Sequence, residues 1–348
     1  MFRCLVALVG VLILSGCPPD MMAGNPMVDA GVRDERRPDG PDGGQPEAVR
    51  FNQIQMRGTV NSYHDYIGAG AIPEVRYRHI AIDRQAAEQG IRQFDFDLSA
   101  DRRAGRYLWP VNAENDIDSL NRCSDWIGCL WELRDWSDAH PEHPMVVVLV
   151  GEALVNLDFM PHLHHQLDVL EESIIFALGR ARLYTPGEMR RGFPSLRAAI
   201  DGAGWPTVDE TRGRVLFVLK DRGLPRTEYI VNGGFDPDDR LLFVAGDPEL
   251  ADEPASADEV IFTFEPDWPW DYETDPAALP VIERLVQANL LVHVPTDNPD
   301  FAARLQGVGA QMIATRFPDM LPPVVEQPVV CNPVTRPQGC PDGALDPR

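Results

Sequence analysis

Eight short apolar runs recur along the chain with helix-period segments between several of them, and this alternation constrains the fold more than any other feature. The runs are Ile54–Thr59, Phe94–Leu98, Met145–Val150, Val215–Leu219, Leu241–Ala245, Val260–Phe264, Leu290–Val294 and Met312–Thr315. Each has the length and character of a buried strand. Helical periods fall at Ile80–Gln89, Cys129–Ala139, Met160–Gly179, Ser195–Ala203, Leu279–Asn289 and Phe301–Val308. Strands alternating with helices imply parallel βα units, and eight of them predict an α/β chain closed as a (β/α)8 barrel of the TIM type. Ala245 to Val260 offers only a short acidic connection, so the barrel is expected to be irregular between strands five and six. Chemistry in such barrels gathers where strands end. Those ends give Asn61, Asp95, Asp97, Glu152, Lys220, Asp247, Glu265, His293 and Arg316 as candidate lining residues.

The barrel is expected over residues 51–323. Ahead of it, Arg3 and the apolar run Leu5 to Leu14 have the form of a processing signal, too short to span a bilayer as a mature helix. The run ends Leu14-Ser15-Gly16-Cys17, which resembles a bacterial lipoprotein signal box. Residues 1–16 are expected to leave and Cys17 to carry lipid; the competing reading is an ordinary secretory signal with Cys17 unmodified. Several buried acyl methylenes would hold such an anchor in a membrane. Residues 17–50 are rich in Pro, Gly, Asp and Arg and read as a disordered tether. Residues 324–348 read as a Pro-rich tail. An exported protein anchored to the cell envelope, in the periplasm or at the cell surface, follows, with a monomer expected.

Four cysteines then remain, Cys123, Cys129, Cys331 and Cys340. In an exported chain an even set reads as disulfides, and the two local pairs, Cys123–Cys129 and Cys331–Cys340, are expected out of three connectivities. No Cys-x2-Cys spacing supports zinc. The formal charge of −23 disfavours nucleic acid and bare anionic membrane surfaces.

The clearest candidate for chemistry is Phe94-Asp95-Phe96-Asp97-Leu98. Alternation puts both aspartates on one face of a strand. Two carboxylates aimed into a barrel repel each other and resist burial, and a hard divalent cation is the simplest resolution. The other reading has both at a solvated strand end.

The segment Gly58-Thr59-Val60-Asn61-Ser62-Tyr63-His64 resembles the opening motif of calcium-dependent phosphoinositide phospholipases C of the bacterial type, which reads Gly-Thr-His-Asn-Ser-Tyr-His. Further pieces are similar to that family in order. They are Tyr77 to Gln93 before strand two, Cys123 to Pro144 before strand three, Thr185 to Phe217 before strand four, and Gly309 to Ile313 at the last strand. The resemblance implies Ca2+ held by Asn61, by the acidic pair Asp95 and Asp97, and by a carboxylate at the end of strand three, for which Glu152 is the candidate. It implies an activity that transfers the inositol 2-hydroxyl onto phosphorus and expels diacylglycerol, with one histidine as base, another as acid and the metal stabilising charge.

The departures from the family gather at the catalytic positions. Val60 stands at the first histidine, and Asn112, in Val111-Asn112-Ala113, at the second. Valine carries no exchangeable proton and asparagine does not titrate. His64 and His293 are the possible substitutes, against the commoner role of a structural histidine. His162, His164 and His165 open a helix and read as a solvated helix start rather than a metal site. Trp268, Trp270 and Tyr272 form an aromatic loop that either rims the site for a sugar or lipid headgroup or folds onto the barrel. Two functions are therefore carried forward. One is a phospholipase C-like phosphoric diester hydrolase with impaired or altered catalysis. The other is a catalytically inactive lipoprotein that binds an inositol phosphate, a sugar or a phospholipid headgroup, or has a structural role.

Overall fold

The computed structural model describes residues 47–65, 76–98, 111, 121–123, 125–151, 163–221, 224–232, 236, 238–248, 257–264, 272–319 and 328–345. Eight parallel strands run β1 (Ile54–Thr59), β2 (Ile91–Asp97), β3 (Val146–Gly151), β4 (Val215–Leu219), β5 (Phe243–Gly246), β6 (Ile261–Thr263), β7 (Leu291–Pro295) and β8 (Met312–Thr315). Each pairs with the next, and β8 pairs with β1, so the sheet closes as a (β/α)8 barrel. The helices between are α1 (Ile82–Glu88), α2 (Trp126–Ala139), α3 (Leu163–Leu178), α4 (Pro186–Arg190), α5 (Leu196–Ala203), the single turn α6 (Leu224–Thr227), α7 (Ala278–Gln287) and α8 (Pro299–Val308). Among the described residues no α-helix lies between β5 and β6, where the sequence lacked a helical period.

Strands of a parallel barrel are covered on both faces, which is why β3 reads Val-Val-Val-Leu-Val without alternation. Every residue of these strands is buried, yet the side chains alternate in direction. Phe94 and Phe96 of β2, Val146, Val148 and Val150 of β3, and Phe217 and Leu219 of β4 pack outward into one cluster with Trp126, Leu130 and Leu133 of α2. Val147, Leu149, Leu216 and Val218 turn inward to join Ile54 and Met56. Gln93, Asp95, Asp97 and Lys220 therefore fall on the inner face, the last three at the C-terminal end of the barrel.

β2 begins three residues earlier than its apolar run, because Ile91 and Gln93 pair with Arg57 and Gly58 of β1. Arg92 hides this in the sequence. Its guanidinium lies 4.6 Å from the centre of the Trp136 ring and donates to the Ala86 and Ile91 carbonyls, so a charged residue is buried by its partners.

Residues read as a tail contribute β9 (Val329–Cys331), antiparallel to β1. It covers Ile54 to Met56, the length of β1 that lies below its pairing with β2. Asn332 then donates to the Gly309 carbonyl at 2.7 Å, and Arg336 to Gln53 and to the Glu47 carbonyl. Both expected disulfides are present, Cys123–Cys129 and Cys331–Cys340.

Candidate functional site

The turn after β1 carries the sequence motif, and each motif residue that matches the expected pattern has a structural task. Gly58 lies under the Gln93 side chain, so close that an added Cβ would sit 1.7 Å from Gln93 Oε1. The β1–β2 register also shifts between Arg57 and Gly58. Thr59 Oγ1 donates to Gln85 Oε1 at 2.9 Å and shares a 2.8 Å hydrogen bond with Ser62 Oγ. Ser62 Oγ accepts the Asp95 N–H at 2.8 Å, while the Ser62 N–H donates to the Asp95 carbonyl. Asn61 occupies the left-handed region at φ 46°, which asparagine tolerates better than most residues. Its backbone N–H reaches the Asp95 carboxylate. The buried Tyr63 hydroxyl donates to Asp97 Oδ2 at 3.3 Å. These bonds dock the turn onto β2 beside the acidic pair.

Val60 sits within this framework. Its N–H donates to the Thr315 carbonyl, and its own carbonyl receives His79 Nε2 at 2.9 Å. Burial pushes the His79 imidazole down to about 4, against the opposing pull of that hydrogen bond. His79 was not among the candidates; its place three residues before α1 gave no sign that it would return to the motif. His64, a possible substitute base, is buried and stacked on Tyr77 with ring centres 4.1 Å apart. Tyr77 also carries the Arg316 guanidinium over its ring, and Arg316 is paired with Asp297.

Inside the barrel mouth, Lys220 follows the last residue of β4. Its Nζ lies 2.8 Å from Asp95 Oδ1 and 2.9 Å from Asp97 Oδ1, and all three side chains are at most 3% exposed. The sequence placed the two aspartates on one face, and the structure adds the cation between them. Burial pushes the Asp95 carboxyl up to about 6; the Lys220 ammonium pulls it down and Asp97 pushes it up. His293 on β7 is a further inward polar group. It is 1% exposed, neither ring nitrogen has a hydrogen-bond partner among the described residues, and burial together with the Lys220 charge pushes it down to about 3. Such a group stays neutral and is a weak base near neutral pH.

Asn112, Glu152, Cys17, Trp268 and Trp270 lie outside the described residues, as do the side chains of His162, His164 and His165. Tyr272 is folded into the barrel wall, with its hydroxyl donating to the Pro295 carbonyl at 2.5 Å. At the opposite, N-terminal end a cleft of about 270 Å³ opens beside Arg50, Asn52, Trp205 and Asn289. There Arg50 is spent on the Ala203 and Trp205 carbonyls, which is a structural use.

The family model of the Ca2+-dependent phosphoinositide phospholipases C matches residues 49–115 and 113–329. The chain belongs to that family. Among solved structures, the calcium-dependent phosphoinositol-specific phospholipase C of a Gram-negative Pseudomonas species, in its myoinositol complex, is 16% identical with a TM-score of 0.59. The alignment covers 82% of this chain and 96% of that one. The Ca2+-dependent phosphatidylinositol-specific enzyme of Streptomyces antibioticus is 17% identical with a TM-score of 0.57, covering 82% and 99%. At such identities the likeness is one of fold. No curated protein matches the chain in sequence.

The family's metal can be tested against the residues present. Of the residues expected from the resemblance to hold the metal, Asn61 meets Asp95 through its backbone, and Asp95 and Asp97 each place an oxygen on Lys220. Among the described residues no group of three His, Cys, Asp or Glu side chains is arranged to hold a metal ion. This donor set is satisfied by an ammonium and does not fit Ca2+ as it stands.

Proposed function

We propose that this chain is an exported lipoprotein, anchored through Cys17 at the cell envelope, whose barrel is a phospholipase C-like phosphoric diester hydrolase with impaired catalysis. One observation carries the reading. The motif's framework of Gly58, Thr59, Asn61 and Ser62 is kept around Val60, a side chain that can neither take nor give a proton. Each acid or base lost from such a reaction costs about 10²–10⁴ in rate, and paired losses need not add. His293 offers no ready replacement, because burial keeps it neutral with little basicity. The ligand class that goes with the family is a phosphoinositide or an inositol phosphate; the family's Ca2+ would have to displace Lys220 to reach Asp95 and Asp97.

The test is cleavage of phosphatidylinositol in mixed micelles by the full chain, with calcium and with chelator, beside a Val60→His/Asn112→His variant. The expected result is little or no turnover by the native chain and a gain in the variant that survives chelator, since Lys220 already holds Asp95 and Asp97. Native turnover at a rate ordinary for enzymes, about 1–10³ s⁻¹, would sink the reading. A second reading, an inactive lipoprotein that binds an inositol phosphate, sugar or headgroup, is favoured by the buried Asp95–Lys220–Asp97 cluster. It predicts no gain in the variant.

A further inference from the structure

Lys220 is the only lysine in the chain. Of 31 basic residues, the other thirty are arginine. The one position that departs from this usage lies in the barrel mouth, 3% exposed, between two carboxylates. The two side chains are not interchangeable there. An ammonium is a compact point charge on a slender stem, and its donors can be shared between two oxygens from one strand; a guanidinium is a planar fork suited to one carboxylate held side-on. The neighbouring strand makes room for the stem. A Cβ on Gly151, the last residue of β3, would lie 2.8 Å from Lys220 Cγ and 3.0 Å from the Asp221 nitrogen, so glycine is what lets the lysine pass.

We propose that Lys220 is the resident cation of this site, standing where the family uses a divalent metal, and that Asp95 and Asp97 are therefore closed to Ca2+. The inference rests on reading this end of the barrel as the family's site. Two buried aspartates on one face need a positive charge nearby. Lys220 supplies it from within the chain, at hydrogen-bonding distance from both. A divalent ion entering between the same oxygens would meet the ammonium at close range in a buried setting, where like charges are poorly screened. Tyr63 and the Asn61 N–H complete the cluster as donors to Asp97 and Asp95, so the carboxylates are held by the protein's own groups.

The experiment is thermal unfolding of the detergent-solubilised full chain in chelator and in millimolar CaCl2, for wild type, Asp95→Asn and Lys220→Met. Alongside it, 15N-lysine labelling gives a single ammonium resonance because the chain has one lysine. The expected result is a wild-type midpoint that does not move with calcium, a resonance for the ammonium that calcium does not shift, and a lower midpoint for Lys220→Met. A calcium-dependent rise of the wild-type midpoint that disappears in Asp95→Asn would overturn the proposal. So would a Lys220→Met protein that melts with wild type in chelator. A rise retained in Asp95→Asn places the calcium elsewhere on the acidic surface, as the proposal requires. Should Lys220→Met not fold, the wild-type midpoint and the ammonium resonance decide. Phosphatidylinositol turnover at an ordinary rate in chelator would defeat the impaired-enzyme reading and leave this one intact. A calcium-dependent midpoint that Asp95→Asn abolishes, without turnover, would do the reverse.

Discussion

Ser62 and Asp95 are joined twice, by the Asp95 N–H to Ser62 Oγ at 2.8 Å and by the Ser62 N–H to the Asp95 carbonyl at 2.9 Å. This double bond fixes the motif turn to the strand that carries the acidic pair. It also gives the motif a structural task that does not depend on chemistry at position 60. Thr59, Asn61 and Ser62 hold the turn in place, so losing them costs folding; the residue at position 60 contributes its backbone alone to that task.

Ser62→Ala removes one acceptor from a buried backbone N–H and one partner from the Thr59 hydroxyl. An orphaned buried donor costs about 1–3 kcal/mol. The unfolding free energy should fall by that much, read as a lower urea midpoint with the slope of the transition unchanged. A midpoint equal to wild type would mean that the turn is not held through this hydroxyl.

Gly58→Ala forces the Gln93 side chain out of its path, since the new Cβ would lie 1.7 Å from Gln93 Oε1 and 3.1 Å from the Ala314 Cβ. Overpacking of this kind costs about 1–3 kcal/mol. Gln93→Ala should recover most of the loss in the double variant, which a double-mutant cycle on chemical denaturation would read as a coupling energy. Additive losses would show that the Ala314 contact, rather than Gln93, sets the requirement for glycine.

Much of this was legible in the sequence, and what was not has specific causes. The strand runs, the shared face of Asp95 and Asp97, the inward His293 and the two local disulfides follow from alternation and spacing. The start of β2 was hidden because Arg92 is buried by stacking on Trp136, which no periodicity reveals. β9 has only three residues and no alternation of its own, so its pairing depends on the edge that β1 leaves open. Asn61 was expected to offer its side chain, whereas a left-handed backbone turns its N–H toward Asp95. The role of Lys220 was visible in a count that strand-end reading does not make, the single lysine among thirty arginines.

Asn332 ties the C-terminal segment to the barrel. Its amide donates to the Gly309 carbonyl at 2.7 Å, and its side-chain oxygen accepts from the Val334 and Thr335 N–H groups, with the residue fully buried. Asn332→Ala leaves those buried groups without these partners and should cost about 2–4 kcal/mol, more than a typical surface change. Native-state proteolysis should then cut beyond residue 328 at lower protease concentration than in wild type. Unchanged resistance would mean that β9 and the Cys331–Cys340 disulfide hold the segment alone.

Acid should unfold this protein from above pH 4.5, through its histidines. Burial is the largest cause that pushes His79 and His143 down to about 4 and His293 to about 3. His143 shows the arrangement, with Nδ1 donating to the Pro144 carbonyl and Nε2 accepting from the Ser137 hydroxyl, which leaves no place for a second ring proton. All three stay neutral in the folded chain, whereas in the unfolded chain they take up protons below about pH 6.5. Their contribution is therefore complete above that pH and is lost as the pH falls toward 4. Asp95 acts in the opposite sense, because a carboxyl pushed up to about 6 binds a proton in the folded state before the unfolded chain does. Three against one leaves about two protons taken up on unfolding, a slope of roughly 3 kcal/mol per pH unit across the middle of the window. Urea midpoints measured between about pH 7 and 4.5 should fall steeply, and His143→Gln should flatten the dependence by about one proton. A midpoint independent of pH over that range would show that these imidazoles are already charged, or exposed, in the folded protein.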